Sequence, residues 1–116
     1  MILKPLKRGD VEGFISKLKG SKLDFPFGEN VAVYKVKDKM FALIPESKEP
    51  ISLSLKCAPE LAVLLQEKYE SVMPGYHLNK KHWITIVLTG QLPLEEIKDL
   101  IILSYNLVTD TNELKT

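Results

Sequence analysis

Ten consecutive residues, Pro74-Gly75-Tyr76-His77-Leu78-Asn79-Lys80-Lys81-His82-Trp83, hold two histidines, two lysines, an amide and two aromatics. Three kinds of chemistry could use them. Lys80 and Lys81 could neutralise phosphates while Tyr76, Asn79 and His82 supply stacking or hydrogen bonds, as in a nucleic-acid contact. The structural alternative is that Trp83 opens a core strand, Tyr76 anchors a turn, and the lysines are merely solvated. Nucleophilic catalysis would pair Cys57 with His77 or His82 as base, aided by the positive end of a following helix. A lone cysteine is more often a small buried hydrophobe. Metal binding would need His77 and His82 with Asp24 or Cys57, but their spacing is not that of a helical ligand pair. The six glycines lie apart and match neither phosphate-loop nor dinucleotide pattern. No catalytic constellation is recognisable, so a non-enzymatic protein without metal or small-molecule cofactor is expected.

Charge narrows the partners. The 116 residues carry a net +1, so no global field draws the chain onto a polyanion. The distribution is uneven. Residues 1–23 carry Lys4, Lys7, Arg8, Lys17, Lys19 and Lys22 against Asp10 and Glu12. Lys35, Lys37 and Lys39 face only Asp38, and Lys80 and Lys81 have no acid near them in sequence. The acids gather in segments of helical pattern, at Glu60, Glu67 and Glu70 and at Glu95, Glu96 and Asp99. Fifteen of the sixteen basic residues are lysine, which meets phosphate as a point charge and lacks the two-pronged guanine contact of arginine. Any nucleic-acid binding should therefore have little base specificity.

These residues need elements to position them. At 45% hydrophobic and 27% charged, the chain has enough apolar content for one folded domain. No apolar run reaches the ~20 residues of a membrane-spanning helix, and Met1 to Arg8 does not read as a secretory signal. Cys57, the single cysteine, excludes an internal disulfide. A cytoplasmic setting is the expectation.

Val11, Phe14, Ile15 and Leu18 make one helical stripe from about Val11 to Lys19, with Asp10 as cap and Gly20 as stop. Asp24-Phe25-Pro26-Phe27-Gly28 reads as a rigid aromatic loop. There Asp24 could accept amide hydrogen bonds and Phe25 and Phe27 could plug the core. Val31–Val36 and Lys39–Ile44 form a hairpin about Lys37-Asp38. In Ile51–Lys56, Ile51, Leu53 and Leu55 should face the core, and Ser52, Ser54 and Lys56 the other side. A helix over Pro59–Tyr69 should bury Leu61, Leu64 and Leu65. Ser71–Tyr76 is at best an edge strand, because of Pro74. Trp83–Leu88 is a strand, and Pro93 opens a last helix running to about Val108 with Leu94, Ile97, Leu100, Ile101, Tyr105 and Val108 on its apolar face. The expected class is α+β in two layers, an antiparallel five-stranded sheet with three helices in the order α-β-β-β-α-β-β-α. One domain spans 1–116, with its core over about 11–108 and a polar tail over 109–116. The partly open sheet face and its turns should bind.

Taken together, Asp24-Phe25-Pro26-Phe27-Gly28, Lys39-Met40-Phe41-Ala42-Leu43, Leu53-Ser54-Leu55-Lys56-Cys57, Pro59-Glu60-Leu61 and the run from Pro74 to Trp83 resemble the MmcQ/YjbR family of small bacterial proteins. The order and spacing fit from about Val11 to Val108. The resemblance implies a fold akin to secretion-chaperone and frataxin-like (CyaY-like) domains with an antiparallel sheet, described as a double wing and commonly labelled DNA-binding. That label rests largely on fold comparison. It does not bring iron chemistry, since an iron-binding ridge would need clustered acids on the first helix and residues 1–23 are basic. Where the family often has Asp, this chain has Ala58, losing an N-cap worth about 1 kcal/mol. Where the family's hairpin turn often has small or glycine residues, this chain has Lys37-Asp38, for which positive φ is less comfortable, so a differently shaped turn is expected. Where it often has Lys-Arg, this chain has Lys80-Lys81.

The residues expected to contact nucleic acid are Lys35, Lys37, Lys39, Lys56, Tyr76, Asn79, Lys80, Lys81 and His82. Those carried by the family motifs are Asp24, Phe25, Pro26, Phe27, Gly28, His77 and Trp83. The expected partner is DNA. The alternative is a protein- or peptide-interaction module that uses the same sheet face or a sheet edge.

Overall fold

The computed structural model describes residues 4–46 and 49–109, and the tail expected over 109–116 lies outside it beyond Thr109. The elements are α1 (Arg8–Ser16), β1 (Lys22–Asp24), β2 (Val31–Val36), β3 (Lys39–Pro45), β4 (Ser52–Lys56), α2 (Pro59–Lys68), β5 (Val72–Pro74), β6 (Trp83–Val87) and α3 (Leu94–Thr109). The strands form one antiparallel sheet in the order β1-β2-β3-β4-β6-β5. The α+β class, the helix count and the antiparallel pairing agree with the sequence reading. The strand count does not: there are six strands, not five, in the order α-β-β-β-β-α-β-β-α. The added strand is β1, whose three residues are all exposed and so show no alternation of burial. It forms by pairing Lys22, Leu23 and Asp24 with Lys35, Tyr34 and Val33 at the sheet edge.

Strand alternation sorts the side chains onto two faces. Ala32, Tyr34, Val36, Ile44, Leu53, Leu55, Ile84 and Ile86 turn to the main core with Val11 and Ile15 of α1 and Ile97, Leu100, Ile101 and Val108 of α3. The other face carries a smaller buried cluster of Val33, Leu43 and Trp83, flanked by Val31, Met40 and Leu78.

The helix ends differ from expectation for local reasons. Helix α1 starts at Arg8 rather than Val11, and Asp10 lies in its first turn rather than capping it. It stops at Ser16, ahead of Gly20. Arg8 fixes this start. Its guanidinium holds Glu12 at 3.2 and 3.3 Å, the Pro45 carbonyl at 2.9 Å and the Glu46 carboxylate at 2.8 Å. Glu12 also accepts from the Tyr34 hydroxyl at 3.0 Å. Burial, and then this bond, push the Tyr34 phenol well above its ordinary pKa. In α2, Ala62 is the buried residue and Leu61 and Leu65 pack partly against the core, while Leu64, expected inside, is exposed. The small Ala62 lets the helix approach the sheet at β5 and β6, which turns Leu64 outward.

Between β3 and β4 the ladder pairs only Ala42 with Leu55 and Leu43 with Ser54. A register shift in the β2–β3 pairing leaves Phe41 without a partner there. Ser104, wholly buried on α3, completes the gap. Its hydroxyl accepts from the Lys56 N–H at 2.9 Å and donates to the Phe41 carbonyl at 2.7 Å.

The β2–β3 turn takes the tight shape that the sequence reading argued against. Lys37 and Asp38 both have positive φ, 52° and 65°, as in the mirror-image turn that suits the right-handed twist of a hairpin.

Two stability changes should follow. Ser104→Ala strands the Phe41 carbonyl and the Lys56 N–H, and should cost about 2–3 kcal/mol, read as a lower urea midpoint. Replacing Lys37-Asp38 by Asn-Gly should raise the midpoint by about 1 kcal/mol at unchanged m-value, because the new residues adopt positive φ with less strain.

Candidate nucleic-acid interface

The strand registers bring most of the predicted lysines to one end of the sheet. The β2–β3 turn, with Lys37 and Lys39, lies there. Lys56 closes β4 opposite Trp83, the first residue of β6, so Lys80, Lys81 and His82 arrive at the same end. Lys22 joins them, since it opens β1 opposite Lys35. The far end of the sheet carries Glu46, already engaged by Arg8. The chain's one arginine is thus a structural clamp, away from the lysines.

The lysines are not equivalent. Lys35 forms an ion pair with Asp24 at 3.1 Å, so its charge is locally cancelled. The Lys37 ammonium donates to the Thr109 carbonyl at 3.4 Å and that of Lys80 to the Gly75 carbonyl at 3.0 Å. Lys39 and Lys81 are exposed, and Lys56 is half-buried. Asn79 serves the turn: its side-chain oxygen accepts from the Lys81 N–H at 2.9 Å. His77 holds the turn by backbone conformation rather than by a side-chain bond. It has φ 61°, a region that histidine tolerates better than most residues. Its ring lies tilted on Tyr76, centroids 4.0 Å apart.

Gly75 fixes where this segment runs. A Cβ there would sit 2.6 Å from the Trp83 Cβ, so only glycine lets the chain pass this close, with Gly75 N–H donating to the Trp83 carbonyl at 3.0 Å. Trp83 is buried, but in the smaller cluster rather than the main core. Tyr76 is pinned by its N–H, which donates to Thr85 Oγ1 at 3.0 Å, while its ring is exposed.

The aromatic loop behaves differently from the expected core plug. Phe25 and Phe27 are both exposed, at 43% and 60%. Pro26 lies between them, and Gly28 has φ 103°, which closes the loop. The main-core face of β2 is already filled by Ala32, Tyr34 and Val36, so the loop's rings stay outside. Asp24 does accept the Phe25 N–H, at 2.8 Å. Its pKa is lowered, first by Lys35 and then by this amide.

The face opposite the helices therefore holds a hollow of about 330 Å3, between the aromatic loop and the 75–82 turn. Phe27, Tyr76, His77 and Leu78 wall it, and Ser52, Ser54, Leu43 and Thr85 line its floor. Alternation in β4 had placed Ser52 and Ser54 on this face. Nothing in the sequence paired Ser54 with Thr85 across strands or placed Phe27 at the rim, because both depend on register and loop path.

The four residues weighed for catalysis or metal binding do not share a cavity. His77 lines this hollow, Asp24 lines another beside Lys35, and Cys57 borders a third between α2 and α3. Cys57 and His82 meet through the backbone, N–H to carbonyl at 2.8 Å. Among the described residues no group of three His, Cys, Asp or Glu is placed to hold a metal ion. Burial pushes the Cys57 thiol up to about 11. With the thiolate scarcer by about 100-fold at pH 8 than at the ordinary value of 9.0, Cys57 should react with a thiol reagent at least that much more slowly in the folded protein than after unfolding.

The chain is similar to several known proteins. The uncharacterized protein YbdF of Escherichia coli O157:H7 is 39% identical over 89 residues, 77% of this chain and 73% of that protein. The uncharacterized protein YjbR of Escherichia coli K12 is 45% identical over 71 residues, 61% of this chain and 60% of its own length. Among solved structures, Deinococcus radiodurans protein DR2400 superposes with a TM-score of 0.84 at 40% identity, covering 89% of this chain and 78% of that one. A Pseudomonas syringae protein does so with a TM-score of 0.75 at 31% identity, covering 88% and 98%. No helix among the described residues is long and apolar enough to cross a membrane. Residues 16–107 match the YjbR family model, and with these relatives that span makes the chain a member of the YjbR family.

Proposed function

We propose that this protein binds nucleic acid, with low base specificity, through the lysine-bearing end of its sheet. The observation that carries this reading is the convergence there of Lys22, Lys37, Lys39, Lys56, Lys80 and Lys81 from four separate parts of the sheet. With Lys35 cancelled by Asp24 and the lone arginine engaged elsewhere, the contact is electrostatic and directed at phosphates. His82 and the ring of Tyr76 flank the lysines and offer hydrogen bonding and stacking.

About 3–5 phosphates would be met, so affinity for a duplex or a single strand should fall on the order of 100-fold between 50 and 200 mM salt. Fluorescence anisotropy measures this directly. Lys39→Glu with Lys81→Glu should weaken binding at least about tenfold and flatten the salt slope by about 2. Lys39 and Lys81 are the pair to change because Lys80 also supports the turn through Gly75. Unchanged affinity in this double variant would overturn the reading.

A second reading, a protein-interaction module, is favoured by one observation on the helical side. Helix α2 packs on β5 and β6, and a groove of about 250 Å3 opens between α2 and α3. Leu61, Leu100, Leu103 and Leu107 line it, and exposed Val63 and Leu64 lie on α2 nearby. A partner seated there would stay bound in high salt, which phosphate binding would not survive.

A further inference from the structure

We infer that the hollow on the outer sheet face receives one unstacked base of a single DNA strand whose phosphates lie on the lysine-bearing end. This inference rests on the nucleic-acid reading above and adds to it a base site and a preference for single strands.

The hydrogen-bond count of the floor points to a ligand with acceptors. Thr85 Oγ1 takes the Tyr76 N–H at 3.0 Å and shares a bond with Ser54 Oγ at 2.8 Å. The two hydroxyls bring two protons, and their mutual bond uses one. Whichever donates, the other keeps an O–H with no acceptor among the described residues. Ser52, on the same face, also lines the hollow. A spare hydroxyl proton thus lies on the floor of a space lined by rings and aliphatic groups. The carbonyl oxygens and ring nitrogens of a nucleobase match such a donor, whereas a purely aliphatic ligand would leave it unpaired.

The walls suit a planar ring. Phe27 is 60% exposed and Tyr76 58% exposed, both line the hollow, and both belong to segments fixed by turns. A base against them gains stacking area without asking either ring to leave a packed core. A volume of about 330 Å3 is ample for one base.

Charge supplies the connection. The Lys80 ammonium lies 3.0 Å from the Gly75 carbonyl, one residue from Tyr76, which lines the hollow. The 75–82 turn thereby gives both a wall for the base and a cation for a phosphate of the same strand. A duplex cannot use the site without the cost of extruding a base, which is why the strand is preferred.

The test titrates a fluorescein-labelled ten-nucleotide DNA strand, and the same sequence as a duplex, against the full chain and three variants. Phe27→Ala removes an exposed ring, and Thr85→Val removes a floor hydroxyl together with the acceptor of the Tyr76 N–H; Lys39→Glu/Lys81→Glu is the phosphate control. The expected result is tighter binding of the strand than of the duplex. Phe27→Ala should weaken strand binding about tenfold and Thr85→Val several-fold, with duplex affinity unchanged. Strand affinity unaltered by Phe27→Ala and Thr85→Val, while the lysine variant weakens strand and duplex alike, overturns the base site and leaves phosphate binding standing. Failure of the full chain to bind either nucleic acid overturns both.

Discussion

One hydroxyl holds the two layers in register. Where the β3–β4 ladder breaks off, the Phe41 carbonyl and the Lys56 N–H would face each other's absence inside the protein. Ser104 supplies a donor to one and an acceptor to the other. It does so from the middle of α3, so the helix is pinned over the central strands by a polar contact rather than by apolar packing alone. Phe41 is held edge-on against Tyr105 one residue along the same helix, with ring centroids 5.5 Å apart. The Tyr105 hydroxyl in turn donates to the Lys19 carbonyl, which ties the α1–β1 connection to α3. Lys56, the last residue of β4, takes its place at the sheet end from the same bond.

The consequence for binding is a division of labour between the faces. Helices occupy one face completely enough that Val11, Ile15 and Ile101 are wholly buried. The other face buries only a small cluster and leaves hydroxyls and rings around a hollow. The lysines belong to neither face as a set; they cluster because hairpin turn, strand end and long turn terminate together. On the proposed reading, a sheet built this way meets a polyanion at its end and a planar group on its face.

Much of the fold was legible because it rests on periodicity. The stripes of α1 and α3 and the alternation in β4 locate their elements to within a few residues. Position 104 was legible too, though unread: it falls in the same stripe as Ile97, Ile101 and Val108, and a serine there must find partners indoors. What periodicity cannot show is pairing. Strand β1 is visible only from its neighbour, and Leu64 faces outward because of how α2 leans on β5 and β6. The motif residues were legible as a group, but their roles followed from path. Phe25 and Phe27 have the composition of a core plug and lie outside, because the sheet face they would fill is already occupied. Lys35 has the composition of a phosphate contact and is spent on Asp24, a pairing set by the register of the strand that sequence patterning missed.

The two outermost strands have a consequence for the protein's behaviour at high concentration. A six-stranded sheet exposes unpaired peptide groups along both borders, and another chain could extend it there. Here each border is only three residues long. One carries Lys22 and Asp24, charges that an incoming strand would have to desolvate. The other ends in Pro74, which has no N–H to offer. Short, charged and proline-ended borders resist templated growth into larger β-aggregates.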